Sequence, residues 1–365
     1  MINTGEKVAN NKIFISAGDL SGETHAAGLV REIKKLNPSC FVSCTGGANL
    51  KSVSDNFIED IVNINAFGFL PVKQFFFLKG VLKRLVAYFE TEKPDKIILT
   101  DYYGFHIHVA KAAKKLNIPV YYFVSPQIWA SRGGRVKTLA KNIKKMLCIL
   151  PFEEKIYKDN GVDAVFVGNP LIDIVPEKSV FKVSNPPVIG LFPGSRKSVI
   201  KRHMPVILAA SKILKEKINA EFVMFSVNND SNYLLPDYIK PSSGNDFEKR
   251  KLINIAICPS GTVSLENSLL GIPMAVMYKL SYFNYILARM IVKVKYITLA
   301  NILAGREVVP EFIQSAAVAE KIAASVIKQL SAENYEAKVK ELLEFRKMLG
   351  VPGVSKRAAE IILND

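Results

Sequence analysis

Four short loops carry side chains whose types and spacing suit sugar and phosphate chemistry. LTDYYGFH (99–106) sets Asp101 at the end of an apolar, β-branched run. A carboxylate there can accept a proton from a sugar hydroxyl, or cap the helix that follows. LFPGSRKS (191–198) offers Gly194 and Ser195 as backbone donors at a helix start, and Arg196 adds a cation able to grip a diphosphate. Its Lys-Ser pair follows the glycine at the wrong distance for a Walker A loop. In CPSGTVSLENSLLGIP (258–273), Ser260, Gly261 and Thr262 form a second strand-to-helix cradle. Glu266 lies one helical turn beyond Thr262, where its carboxylate can take both hydroxyls of a ribose; a plain cap at Thr262 fits the same residues. AGDLSGETH (17–25) brings Gly18, Ser21, Gly22 and Glu23 to another strand end, with glycines that let backbone approach a ligand. It lacks the G-x-G-x-x-G spacing of a dinucleotide loop, and a simple strand-to-helix turn also accounts for it.

The elements that must position these loops alternate in type. Strands are expected at 12–18, 41–46, 96–101, 120–125, 146–150 and 164–168, then at 188–195, 221–227, 255–261 and 273–278. Helical periodicity lies between them, as in Ala26, Leu29, Ile33 and Leu36. Strand–helix alternation of this kind builds parallel sheets with crossover helices, which hold ligands at strand carboxyl ends. Pro176, Pro186 and Pro187 mark residues 173–187 as a linker. The expected organisation is an N-terminal domain over 1–172, a C-terminal domain over 188–340, and a helical segment at 341–365 packing back on the first domain. Two Rossmann-like, doubly wound α/β domains facing across a cleft describe the B-type glycosyltransferase (GT-B) architecture. A two-domain dinucleotide enzyme would share the coarse pattern.

The stretch AFGFLPVKQFFFLKGVL (66–82) stands apart. After Pro71, helical spacing gives a core stripe of Val72, Phe75, Phe76, Leu82, Leu85 and Phe89. Phe67, Phe69, Leu70, Phe77 and Leu78 are apolar residues outside that stripe, interleaved with Lys73, Lys79, Lys83 and Arg84. The combination suits an anionic lipid interface, with Phe76 as a further contact, or a thick helix buried on two sides. Net charge is +16, with 49 Lys and Arg against 33 Asp and Glu. Such an excess fits an anionic membrane surface or phosphorylated substrate, or a lysine-rich surface in general. Zinc-finger spacing and RNP motifs are missing, which argues against a nucleic-acid partner. Cys40, Cys44, Cys148 and Cys258 are scattered and read as buried, reduced thiols, not metal ligands. The polar start and the lack of a long apolar run predict neither a secretory signal nor a spanning helix.

Six segments in order resemble the lipid-A-disaccharide synthases: AGDLSGETHAAGLV, FVSPQIWASRGGRVKTLAK, GNPLID, LFPGSR, SGTVSLE and TLANILAGREVVPEFIQ. The resemblance implies an inverting, metal-independent and cofactor-free transfer of diacylglucosamine from UDP to diacylglucosamine 1-phosphate (lipid X). The products would be a lipid A disaccharide 1-phosphate and UDP. It assigns Asp101 as general base and Arg196 as an arginine needed for activity. Ser260, Gly261, Thr262 and Glu266 become nucleotide contacts, joined by Asn301, Arg306, Glu307 and Gln314 of the last segment. Ser125 and Trp129 join the opening loop on the acceptor side, and 66–82 becomes the place where acyl chains stay in the membrane. The implied location is cytoplasmic, peripheral on the inner face of the inner membrane.

Three departures stand out. Gly104 replaces an acid that the family often carries three residues after its base. Val199 stands where a Glu is common, and Asp19 and Glu23 exchange the usual Glu and Asp. The alternatives are a lipid-linked N-acetylglucosamine transferase, a UDP-sugar epimerase, or a catalytically silent lipid or nucleotide binder.

Overall fold

The computed structural model describes residues 11–62, 71–126, 134–226, 235–281, 285–286 and 294–365. The chain divides into two compact units, one formed by Met1–Asp173 with Leu349–Asp365, the other by Ile174–Met348.

The first unit holds seven parallel strands: β1 (Lys12–Ala17), β2 (Phe41–Gly46), β3 (Asn56–Asp60), β4 (Lys96–Thr100), β5 (Val120–Phe123), β6 (Lys145–Cys148) and β7 (Ala164–Phe166). Their order is β3-β2-β1-β4-β5-β6-β7. Alternate side chains enter two separate cores. Phe14, Ile97, Leu99 and Tyr122 meet Val81, Leu85, Phe89 and Val109 on one face. Ile13, Ile15, Ile98, Tyr121 and Phe123 meet Leu29, Val30, Ile33 and Ala358 on the other. Both faces are dry, so these strands read as continuous apolar runs. Each fully buried aliphatic or Phe side chain contributes about 1.5–3 kcal/mol of transfer free energy.

Helix Val354–Asn364 packs on helix Leu20–Leu36, completing this second layer. The Asp173 carboxylate accepts from the Gly353, Val354 and Ser355 N–H groups at 2.6, 3.2 and 3.0 Å, capping that helix across a long chain separation. Leu36, expected in the core stripe of Leu20–Leu36, is exposed at the last turn, while Ala26, Leu29 and Ile33 are buried.

The second unit has six parallel strands: β8 (Val188–Leu191), β9 (Glu221–Ser226), β10 (Ile239–Ser243), β11 (Ile255–Pro259), β12 (Met274–Tyr278) and β13 (Glu311–Ile313). They run in the order β10-β9-β8-β11-β12-β13. Ile189, Leu191, Ile255 and Ile257 pack under helices Lys197–Lys217 and Ala319–Leu330. Each sheet, wound by helices from its centre outward, is a Rossmann-like domain of the GT-B class.

β3, β10 and β13 were not expected, and all three lie at sheet edges. An edge strand needs no two-sided apolar run, and Pro241 within β10 is tolerated because one side of that strand has no ladder to complete. The four cysteines are buried free thiols. Among the described residues no helix is long and apolar enough to cross a membrane, and no cluster of His, Cys, Asp and Glu is placed to hold a metal.

Candidate active site

In the first unit the pairing of β1 with β4 matches Ala17 to Thr100, so the loops after them start side by side. Asp101 follows Thr100 with φ +47°, and Tyr102 follows with φ +46°. Tyr102 is the N-cap residue of helix Tyr103–Lys115 and makes no side-chain cap. Asp101 thus stands one residue before the N-cap position. Burial, then the nearby charge of Asp19, raises its pKa to about 6; a hydrogen bond from the Tyr102 backbone opposes the shift. A partly enclosed carboxylate with that proton affinity can serve as a base near neutral pH.

The opening loop differs from expectation. A Cβ on Gly18 would stand 2.1 Å from Cδ1 of Tyr102, so this glycine makes room for a tyrosine ring and not for a ligand. Gly22 faces Thr100 and donates its N–H to the Asp19 carboxylate at 2.7 Å, which caps helix Leu20–Leu36. Glu23 is turned inward and accepts from the Leu50 N–H at 3.0 Å. Ser21 is half-buried on the same turn. Ser125 is enclosed and donates to Glu153, whose carboxylate also accepts from the Leu150 N–H at 3.1 Å. Glu153 escaped the sequence reading, and Asp19, noted there only as a departure from the family motif, was not read as the cap it is; an Asp opening a helix was the signal.

Trp129, Phe67, Phe69 and Leu70 lie outside the described residues. In helix Pro71–Glu92, Val81, Leu85 and Phe89 define the buried face, and Phe77, Leu78 and Leu82 pack at its margin. Phe75 and Phe76, expected in the core stripe, are 63% and 64% exposed with their rings edge to face. The side chain of Val72, with which the expected stripe began, lies outside the described residues. Phe76 stands five residues before Val81, about 140° round the helix from it.

In the second unit the turn after β8 leads through Gly194 (φ +112°) and Ser195 to Arg196, the exposed N-cap residue of Lys197–Lys217. Gly261 follows β11 with φ +135°, in a region that L side chains rarely adopt, and helix Thr262–Leu269 begins after it. Gly261 and Thr262 are exposed, leaving the first N–H groups of that helix open to an anion. The cap is made by Ser264, whose hydroxyl meets the Gly261 N–H and carbonyl, and not by Thr262. Ser260 donates its hydroxyl to the Ile297 carbonyl at 2.6 Å.

Glu266 projects from the same helix and pairs with Arg250 at 2.7 Å. Arg250 was not foreseen; it lies within KRK, a run of charge that gives no local sign of burial, yet it is wholly buried. The last motif is largely scaffold. Asn301 donates to the Val309 carbonyl and Glu311, and accepts from the Val308 and Val309 N–H groups at 2.7 and 2.9 Å. Gln314 accepts from the Leu280 N–H at 2.8 Å. Arg306 is exposed and pairs with Glu341, and Glu307 is exposed beside it. Glu311, also unforeseen, gathers the Ile297 and Thr298 N–H groups and the Thr298 hydroxyl.

The model of a family described as lipid-A-disaccharide synthetase matches residues 13–362. The lipid-A-disaccharide synthase of Syntrophus aciditrophicus (strain SB) is 37% identical over 372 residues, covering 96% of this chain and 97% of the relative. That of Geobacter metallireducens (strain ATCC 53774 / DSM 7210 / GS-15) is 33% identical over 375 residues, covering 97% of each. Among solved structures, the UDP-GlcNAc 2-epimerase of Neisseria meningitidis bound to UDP-GlcNAc aligns with a TM-score of 0.65 at 15% identity, over 97% of this chain and 100% of that one. MurG of Acinetobacter baumannii aligns with a TM-score of 0.62 at 14% identity, again over 97% and 100%. Those two likenesses concern the fold alone. A family model spanning almost the whole chain, with relatives a third identical from end to end, makes this chain a member of the lipid-A-disaccharide synthase family.

Proposed function

We propose that this chain carries out the family's condensation with Asp101 as its base. UDP-2,3-diacylglucosamine is the donor and 2,3-diacylglucosamine 1-phosphate the acceptor. The acceptor 6-hydroxyl oxygen attacks the anomeric carbon as its proton passes to the Asp101 carboxylate. The bond from that carbon to the UDP oxygen breaks, and the configuration inverts. The match over residues 13–362 carries the reaction; the raised proton affinity of Asp101 at a strand's carboxyl end supports its role.

The second unit holds the leaving group. Arg196, Gly194 and Ser195 from one turn, with Ser260, Gly261 and the open N–H of Thr262 from the other, stabilise charge on the departing diphosphate. Glu266, fixed by Arg250, takes the ribose hydroxyls. Arg306 and Glu307, both exposed, remain candidates for direct contact, whereas Asn301 and Gln314 act by holding the loops. Ser21 and Trp129 belong to the acceptor side. Phe75 and Phe76, together with the 66–70 segment and its neighbouring lysines, dock on an anionic inner-membrane surface, which keeps the acyl chains partly in lipid.

The test is incubation with UDP-2,3-diacylglucosamine and the monosaccharide 1-phosphate, followed by mass spectrometry. A UDP-dependent tetra-acyl disaccharide monophosphate is expected. Recovery of an epimerised sugar nucleotide alone would replace this reading with an epimerase.

A further inference from the structure

We infer that His106 is a positioning residue for Asp101: its ring holds the backbone carbonyl of that residue and so aims the carboxylate. The inference rests on Asp101 being the base.

His106 is fully buried in helix Tyr103–Lys115, one turn after Asp101. Its Nδ1 lies 2.8 Å from the Asp101 carbonyl oxygen, and its Nε2 lies 2.8 Å from the Ser16 hydroxyl. A carbonyl only accepts, so Nδ1 carries the hydrogen and Nε2 offers a lone pair. Ser16 must then donate to Nε2, and its oxygen accepts from the Thr45 hydroxyl at 2.8 Å. Tyr122 donates its hydroxyl to the same Asp101 carbonyl. Two hydrogen bonds thus land on one backbone oxygen, from the helix and from β5, and the first is backed by a relay from β2 through β1 to the imidazole, all polarised toward that oxygen. Burial keeps the imidazole neutral, as this chain of donors requires.

The carbonyl so held sits in an unfavourable backbone. Asp101 and Tyr102 are both left-handed, and the Asp101 N–H donates to the carbonyl of Val124, itself at φ +61°. A β-branched residue is a genuine outlier there, and such conformations persist only where surrounding bonds over-determine them. An imidazole used only to fill the core would be better replaced by an apolar ring, because its two nitrogens cost free energy unless both are bonded. Here both are bonded, and the beneficiary is the turn that carries the base.

The experiment compares full-length His106→Leu, His106→Asn and Asp101→Asn. An Asn amide nitrogen can stand near the place of Nδ1 and donate to the Asp101 carbonyl; Leu cannot. Leu should lower kcat on the order of 10²-fold while leaving KM for the UDP-sugar nearly unchanged. Asn should lose a similar amount of thermal stability, since both leave Ser16 without its acceptor, yet recover most of kcat. Equal loss of kcat in Leu and Asn, or none in Leu, overturns the inference. Where the Leu variant does not fold, the Asn variant carries the test alone: a kcat as low as that of Asp101→Asn then sinks the idea. Full activity in Asp101→Asn would instead refute the assignment of the base.

Discussion

Arg250 lies wholly enclosed in the second unit, its Nη1 donating to Glu266 Oε2 at 2.7 Å and its Nη2 to Asn267 Oδ1 at 2.8 Å. The Phe192 and Phe247 ring centroids stand 5.2 and 4.9 Å from the guanidinium carbon. A cation held by aromatic faces and three acceptors, the Gly244 carbonyl being the third, fixes the Glu266 carboxylate in advance. In the role proposed for Glu266, ribose binding would then need no reorganisation of that side chain, which is how a site converts rigidity into affinity.

Arg250→Met should be costly for that reason. Burial already raises the Glu266 pKa, and Arg250 is what opposes the rise. Removing one member of a buried pair costs about 3–5 kcal/mol, measurable as a lower urea midpoint with an unchanged slope. KM for the UDP-sugar should rise in the folded fraction. A variant as stable as the parent would show that the pair contributes little.

Activity should follow the ionisation of Asp101. Its pKa is raised to about 6, so the basic form grows as pH rises through that value. The acid limb of kcat/KM should therefore have its midpoint near pH 6, with loss below it and a plateau above. Asp19→Asn removes the negative charge that helps raise the pKa, so the midpoint should move to lower pH. An upward shift would contradict the electrostatic cause. Asp101→Asn should cost about 10²–10⁴-fold in kcat.

Gly18→Ala tests the contact between the two loops of the first unit. The new methyl would stand 2.1 Å from the Tyr102 ring, so the ring or the turn must shift. Overpacking of this kind costs about 1–3 kcal/mol, and the turn carries Asp101, so kcat should fall as well. Adding Tyr102→Ala should relieve the stability loss. A double variant worse than the sum of the singles would refute the steric account.

Phe75 and Phe76 should matter for membranes and little for folding. Both rings are mostly exposed, and surface substitutions usually change stability by less than about 0.5 kcal/mol. Replacing both with Ser should leave the melting temperature in place while weakening co-sedimentation with anionic vesicles. Added salt should weaken the parent's binding too, through Lys73, Lys79 and Lys83. Unaltered vesicle binding by the double variant would exclude these two rings as anchors.

The central strands of both sheets were legible because each is buried on two faces and must be apolar throughout. The loops at their ends, with Asp101, Arg196 and Ser260–Thr262, were legible for a similar reason: position in a doubly wound sheet follows from strand order. β3, β10 and β13 were not legible, because an edge strand with partly exposed faces has no obligatory pattern. Arg250 was hidden by its neighbours. Charge in a helix reads as solvated unless the partner is known, and Glu266 is supplied by a different helix.

Residue types and their order thus determined the family, the two sheets and the strand ends that carry the candidate residues, since these depend on patterns local in the chain. Only the tertiary structure decided which polar groups are open to a ligand and which are tied inward. Glu23, Ser125, Asn301 and Gln314 looked available and are held by Leu50, Glu153, Val309 and Leu280. His106 and Arg250 looked incidental and each anchors a candidate site residue. A hydrogen-bond partner distant in the chain leaves no spacing rule behind, so burial and partnership appear only when the sheets and helices come together.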